Sequence, residues 1–261
     1  MSIISIIPAR MASTRYPGKP MEKICGVPMI GHVYHRVRMS KHLDAVFVAT
    51  CDHVVFDYIK SIGGRPIMTA DTHGRASDRC AEAMLKAEEI LGNTCEIMVM
   101  VQGDEPLTRP EMIDEALQPL VSDPTIQISN LVGRIKSKRE VESPNEVKVV
   151  MDVEGNALYF SREPIPSCRK TKEPVTYYKQ VPIIPFRRDF LLEYSRMPPT
   201  PLEIIESVDM LRVLERGIKI RMVETRYEVK AVDVPEDVPL VERAMASDPL
   251  FRMYAKPLRY T

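Results

Sequence analysis

Three cations, Arg10, Arg15 and Lys19, fall within ten residues of the segment PARMASTRYPGKP, interleaved with small and turn-forming residues. Such spacing lets both charged side chains and backbone N–H groups approach a ligand, a combination suited to a triphosphate. A solvated basic loop is the rival explanation. Position favours the anion site: the loop follows the apolar run Ile3 to Pro8, and α/β sheets bind ligands beyond the carboxyl ends of their strands. Neither G-x-G-x-x-G nor G-x-x-x-x-G-K-S/T occurs, so dinucleotide-binding and P-loop ATPase readings lose their main support.

A second group is Gln102-Gly103-Asp104-Glu105-Pro106, directly after the apolar run Ile97 to Val101. An aspartate at a strand's carboxyl end, beside a glycine, can project a hard oxygen ligand into the same cleft as the basic loop, which suits magnesium bound to phosphates. A capping carboxylate in a strand-to-helix turn is the alternative. Asp233 is a second candidate ligand; Ala231-Val232-Asp233 followed by Pro235 reads as a short strand meeting a helix start, where capping again competes. His32 and His35 can share one helix face, but with no Cys or acidic partner nearby they read as packing residues. The sixteen methionines read as adaptable core filler.

These residues need a frame. β-Branched runs at Ile3–Pro8 and Ala45–Thr50, with further strands at 66–69 and 96–101, alternate with helical spacing at 29–39, 54–62 and 76–91. That alternation predicts a Rossmann-like, mostly parallel sheet covered by helices on both faces. After residue 125, apolar runs at 127–132, 147–151, 157–161 and 181–186 come without long helices between them, which predicts antiparallel strands, some in an inserted lobe over roughly 125–200. Helices are expected again at 188–194, 201–214 and 235–245. The expected organisation is one domain over 1–246 and a C-terminal arm over 247–261, lying on the surface or on a partner subunit.

Composition narrows the class. Hydrophobic residues make up 44% of the 261 residues, enough for a core without disulfides. Lys plus Arg total 36 and Asp plus Glu total 36, so bulk charge draws the chain neither to nucleic acid nor to anionic lipid, and any anion site must be local. Five widely spaced cysteines without a C-x-x-C pair point to reduced thiols in cytoplasm. The start of the chain is unlike a secretory signal, and no run approaches the roughly 20 apolar residues of a membrane span, so no membrane insertion is expected.

Taken in order, IIPARMASTRYPGKP, GVPMIGHVYHRV, VQGDEP, PNEVKVVMDVEGNALYFSREPIP and VDVPEDV resemble the successive signatures of the 3-deoxy-manno-octulosonate (Kdo) cytidylyltransferases across nearly the whole chain. The resemblance implies a nucleotide-recognition α/β fold of the nucleotide-diphospho-sugar transferase type with an inserted dimerisation lobe, a homodimer, CTP as donor, an acidic sugar as acceptor and Mg2+ as cofactor. Position by position it implies that Arg10, Arg15 and Lys19 bind the triphosphate, that Ser77 and Arg79 lie near the cytosine, and that Gln102 contacts substrate. It makes Asp104 and Asp233 the magnesium ligands and puts Arg162, Gln180 and Asp209 on the sugar side. In-line attack of the acceptor's anomeric hydroxyl on the α-phosphorus would expel pyrophosphate, with Arg15 and Lys19 neutralising the leaving phosphates. No residue stands out as a dedicated base.

Departures fall on the sugar side. Gln180 stands where the family has histidine, Ile184 where it has tyrosine, and Asp209-Met210 where it has glutamate-glutamine. Exchanging hydrogen-bonding groups there predicts an altered acceptor preference, with a modified ulosonic acid, for instance an amino-substituted Kdo, used better than Kdo itself. The alternatives are a cytidylyltransferase for another small anion, a sugar-1-phosphate nucleotidyltransferase, and a non-catalytic nucleotide-binding homologue. Keeping both aspartates argues against the last.

Overall fold

The computed structural model describes residues 1–12, 16–228 and 230–255. In chain order, β1 (Ile3–Ala9) leads through the basic loop to a short hairpin of β2 (Lys23–Ile24) and β3 (Val27–Pro28). Then come α1 (Met29–Val37), β4 (Ala45–Thr50), α2 (His53–Ser61), β5 (Pro66–Met68), α3 (Ala76–Leu91) and β6 (Ile97–Val101). The middle of the chain holds α4 (Pro110–Ser122), β7 (Ser129–Arg134), α5 (Lys138–Glu142), β8 (Lys148–Met151), β9 (Ala157–Ser161) and β10 (Tyr178–Val181). The last third is β11 (Ile183–Arg187), α6 (Arg188–Arg196), α7 (Pro201–Glu206), α8 (Leu211–Leu214), β12 (Arg221–Thr225), α9 (Val238–Ala246) and α10 (Pro249–Tyr254).

Five strands form the central sheet in the order β11-β6-β1-β4-β5, parallel except for β11. Its inner strands are apolar on both faces because helices cover both, the condition that a parallel sheet requires. Alternate residues feed two separate cores. Ile4 and Ile6 of β1, Phe47 of β4 and Met98 and Met100 of β6 pack under α3 and α6, while Ile3 and Ile7, Val46 and Val48, and Val99 and Val101 pack under α1, α2 and α4. Burial of each large apolar side chain is worth about 1.5–3 kcal/mol. The strand ends, and hence the loops after β1 and β6, are therefore held on a rigid floor.

The second five-stranded sheet, β12-β7-β10-β8-β9, is antiparallel except for the β7–β12 pair. It takes its strands from 129–181 and from 221–225, and an isolated bridge between Ile128 and Phe186 links it to the central sheet. The single strand expected over 181–186 is two: β10 belongs to the second sheet and β11 to the first. Pro182 stands at the break, where a residue without an N–H ends the ladder. Pro185 is tolerated in β11 because that strand is an edge.

Two more expectations need correction. The helix expected over 201–214 is α7 and α8, separated at Ser207, which adopts a left-handed conformation with φ 52°. The strand expected at Ala231–Asp233 does not form; Val232 instead anchors the segment in a small third core with Ile24, Met29, Val241 and Met245. The part of the C-terminal arm that is described, through Ala255, docks on α1. The buried Arg36 pairs with Asp248 at 2.6 Å, and Tyr254 meets both Arg36 and His32. His32 donates from Nε2 to Ile24 O at 2.7 Å, and burial lowers its pKa to about 4, so it is a satisfied core histidine.

Candidate active site

Two cavities meet at the carboxyl ends of β1 and β6. The first, about 230 Å³, is lined by Arg10 and Lys19 from the loop after β1, by His73, Arg75 and Arg79 from the loop and start of α3, and by Gln102 and Asp104. The second, about 170 Å³, shares Gln102 and Asp104 and continues to Arg162, Gln180, Asp209 and Asp233. Gln102 and Asp104 therefore form the wall between a cationic cavity and a more acidic one.

Asp104 owes its position to close packing beneath it. A Cβ on Gly103 would lie 3.2 Å from Pro8 O and 3.1 Å from the Ile30 side chain, tight enough that a side chain here would push the loop after β6 off β1 and α1 by a few tenths of an ångström. Val232 N–H donates to Asp104 O at 2.9 Å, which brings the Asp233 segment alongside. Asp237 accepts from the N–H groups of Asp233 and Val234, at 2.8 and 3.1 Å, fixing that backbone. Lys19 enters from the other side: Gly18, at φ 78°, turns the chain into a single 3-10 turn, and the lysine Nζ lies 3.1 Å from Asp104 and 3.9 Å from Asp233.

Lys19, Asp104 and Asp233 are thus brought to one point from positions far apart in the chain. The Lys19 side chain is only 10% exposed, so its charge is poorly screened and acts strongly on what lies in the cleft. Asp104 Oδ1 is buried with no hydrogen-bond partner. An orphaned carboxylate oxygen, on a residue whose other oxygen shares Lys19 with a second carboxylate, is a donor set that fits a hard divalent cation. Among the described residues no group of three or more His, Cys, Asp or Glu side chains could hold a metal. Phosphate oxygens and water would have to complete the shell, as magnesium commonly requires.

The other expected residues divide. Arg10 lines the first cavity and is exposed. Arg15 lies outside the described residues. Arg79, 3% exposed, donates from Nη1 to Thr69 Oγ1 and Ala70 O, and so holds the cavity's rim while lining it. Ser77 is not in the lining; it is fully buried, and its Oγ donates to Asp209 Oδ2 at 3.2 Å. Arg162 lines the second cavity but commits its guanidinium to the carbonyls of Glu206, Pro144 and Ser207. Asp209 and Gln180 line it with partners of their own, Arg75 and Asn130.

Arg75, Asn130 and Glu105 were not singled out from the sequence. Arg75 stands one residue before α3, lines the first cavity and reaches across to Asp209 at 3.1 Å. Its signal was present in HGRASDR, a cation close to a helix start, though nothing local shows that its partner is 134 positions on. Glu105, buried next to Asp104, lines the second cavity, and burial first, then Asp104, pushes its carboxyl well above the usual range.

The rim of the first cavity is pinned by Glu82. Burial alone would raise its pKa, but hydrogen bonds from Lys86, His73 and Ala70 N–H outweigh that and lower it from 4.5 to about 2. A depressed carboxylate pKa stabilises the fold above the unfolded value and loses that contribution as pH falls through the folded one. Glu82→Gln is therefore expected to cost about 1 kcal/mol at neutral pH. In paired denaturant titrations the gap should narrow below about pH 4.5 and close near pH 2. A gap independent of pH contradicts this role.

A family profile described as Cytidylyltransferase matches residues 4–220. A 3-deoxy-manno-octulosonate cytidylyltransferase of Geobacter metallireducens is 48% identical over 251 residues, covering 92% of this chain and 96% of its own length. One from Solibacter usitatus is 45% identical over 241 residues, covering 92% and 93%. A solved CMP:2-keto-3-deoxy-manno-octonic acid synthetase complexed with CTP superimposes with a TM-score of 0.86 at 38% identity, covering 94% of this chain and 99% of that one. A cytidylyltransferase from Leptospira borgpetersenii, 18% identical with a TM-score of 0.61, shares the fold.

Proposed function

The chain belongs to the cytidylyltransferase family, and from that premise we propose that it transfers the cytidylyl group of CTP to 3-deoxy-manno-octulosonate, with release of pyrophosphate, for lipopolysaccharide synthesis. One observation carries the reading: Lys19, Asp104 and Asp233 converge where the two cavities join, the point at which a triphosphate in one and a sugar in the other would meet.

The reaction joins two anions, so lowering charge repulsion is the main task. CTP occupies the first cavity and the sugar the second. The acceptor's anomeric oxygen attacks the α-phosphorus, a new P–O bond forms, the bond to the β-phosphate oxygen breaks, and the hydroxyl proton leaves to solvent. Lys19, with Arg10 and Arg15 of the same loop, neutralises the departing pyrophosphate. Asp104 and Asp233 would hold magnesium, which when bound supplies further charge neutralisation and orients oxygen atoms for in-line attack. Gln102, in the wall between the cavities, contacts substrate, and Arg162 and Asp209 shape the sugar side.

Arg79 supports cytosine as the base. Its N–H groups match the O2 and N3 acceptors of cytosine, whereas N3 of uracil carries a hydrogen and opposes a donor. With Kdo and magnesium, pyrophosphate release should be fastest with CTP and lower by about tenfold or more with UTP. ATP or GTP turning over faster than CTP contradicts the assignment.

Relatives named for 3-deoxy-manno-octulosonate support that sugar as acceptor. An amino-substituted analogue, expected from Gln180, Ile184 and Met210, is a further proposal, as are a cytoplasmic location and a homodimer. The exposed Leu158 of edge strand β9 and the exposed Ile204 and Ile205 of α7 offer apolar surface for a second copy. Among the described residues no helix is long and apolar enough to cross a membrane.

A further inference from the structure

Asn130 is fully buried on β7, a polar side chain between Ser129 and the apolar pair Leu131 and Val132. Its Nδ2 donates to Val181 O at 2.7 Å and to Leu131 O at 3.1 Å. Carbonyl oxygens only accept, so the amide nitrogen of Asn130 is fixed on their side and its Oδ1 is turned the other way. That Oδ1 meets Gln180 Nε2 at 2.6 Å. An oxygen that only accepts obliges Gln180 to present its NH2 group. Flipping the Gln180 amide would set two oxygens in contact and leave a buried acceptor without a donor.

With one N–H of its Nε2 held by Asn130, the Gln180 amide keeps Oε1 turned away from Asn130, and no donor among the described residues reaches that atom. Gln180 lines the second cavity, and its Oε1 is not sealed from solvent. Its neighbours on the wall already have partners: Arg162 is taken by three carbonyls, and Asp209 accepts from Arg75 and Ser77.

We infer that Asn130 is a positioning residue that fixes the polarity of Gln180, so that the Oε1 position in the acceptor cavity is always a hydrogen-bond acceptor and selects a sugar carrying a donor there, either a hydroxyl or an ammonium group. The inference rests on the cytidylyl-transfer reading and deepens it. A glutamine free to rotate could meet a donor or an acceptor on the substrate. A glutamine clamped through its nitrogen meets only a donor at Oε1, so the selectivity at that position comes from a residue that does not touch the substrate.

The test is a cycle between substrate and protein. Turnover of CTP with unmodified Kdo is measured first; its absence would refute the reaction and leave the polarity question to direct binding of the same sugars. Each acceptor hydroxyl other than the attacking anomeric one is then replaced in turn by hydrogen, by fluorine, which cannot donate, and by an amine, which can. In the wild type, one position should lose about tenfold in kcat/KM with hydrogen and with fluorine alike, yet keep activity with the amine. In Gln180→Met, the loss at that position should vanish, while KM for CTP stays unchanged. Asn130→Ala, which frees the glutamine to flip, should narrow the preference of amine over fluorine; if it fails to fold, the Gln180→Met cycle decides alone. An amine preferred over the native hydroxyl identifies the ammonium form, and equal use the hydroxyl form. No position coupled to Gln180, or fluorine tolerated as well as the amine at the coupled one, overturns the inference.

Discussion

Asp104→Asn should lower kcat by about 10²–10³-fold, and Asp233→Asn by a similar factor, with the fold intact by circular dichroism. Asparagine keeps the shape of aspartate and one oxygen but removes the charge, so a loss of this size isolates electrostatics from packing. In the cleft the two carboxylates share Lys19, at 3.1 and 3.9 Å, and Asp104 holds a buried oxygen with no partner. Neutralising either one leaves the lysine less well balanced and weakens the hold on a divalent cation. Magnesium titrations should accordingly show a raised half-saturation concentration in both variants, and chelation should abolish wild-type turnover. Both variants keeping near-normal rates at low magnesium contradicts the assignment of these two residues.

The largest stability effect is expected at the turn that carries Asp209. Arg212 and Glu203, 3% and 0% exposed, are joined by two bonds of 2.7 and 2.6 Å. Thr200 N–H also donates to Glu203, and the Arg212 guanidinium lies 4.8 Å from the centre of the Tyr194 ring. Removing one partner strands the other charge in the core, so Arg212→Ala should cost about 3–5 kcal/mol. For a chain of this length that is a fall in Tm of roughly 10 °C. Burial tends to raise the Glu203 pKa, but the arginine outweighs it and the pKa is lowered, so the pair's contribution lies above the ordinary glutamate range and fades on acidification. Removing both partners for an apolar pair of similar volume should restore much of the loss, because no charge is then left unpaired. A single variant that melts within 2 °C of wild type would mean that the turn is held by other contacts.

The turn shows why some of the fold was not legible beforehand. The strands of the central sheet are, for the most part, β-branched apolar runs buried on both faces, and α3 runs from Ala76 to a left-handed Gly92 cap, so local pattern alone locates them. Ser207 in a left-handed conformation has no such signature, and the carbonyls at the break between α7 and α8 are met by the distant Arg162, which bonds those of Glu206 and Ser207. The helix Pro110–Ser122 is obscured by its internal Pro119, and β10 and β12 are short and mixed in polarity, so neither strand shows a strict alternation. Their pairing partners, not their own residues, make them strands.

The site divides in the same way. Residues proposed to touch phosphate or metal have types and spacing that mark them in the sequence, and the fold brings Lys19, Asp104 and Asp233 together. Residues that act by holding another residue leave no such trace. Ser77 looks like a nucleotide contact within SDR but faces Asp209, and Arg75 and Asn130 gain meaning only through partners brought near by the fold.

The most direct test of cytidylyl transfer is the mass of the product formed from CTP and Kdo with magnesium, measured alongside pyrophosphate. The expected result is a single CMP–sugar conjugate in one-to-one ratio with pyrophosphate, and none of either when the sugar is omitted. Pyrophosphate released without a conjugate, or a conjugate formed only with a sugar 1-phosphate, would contradict it.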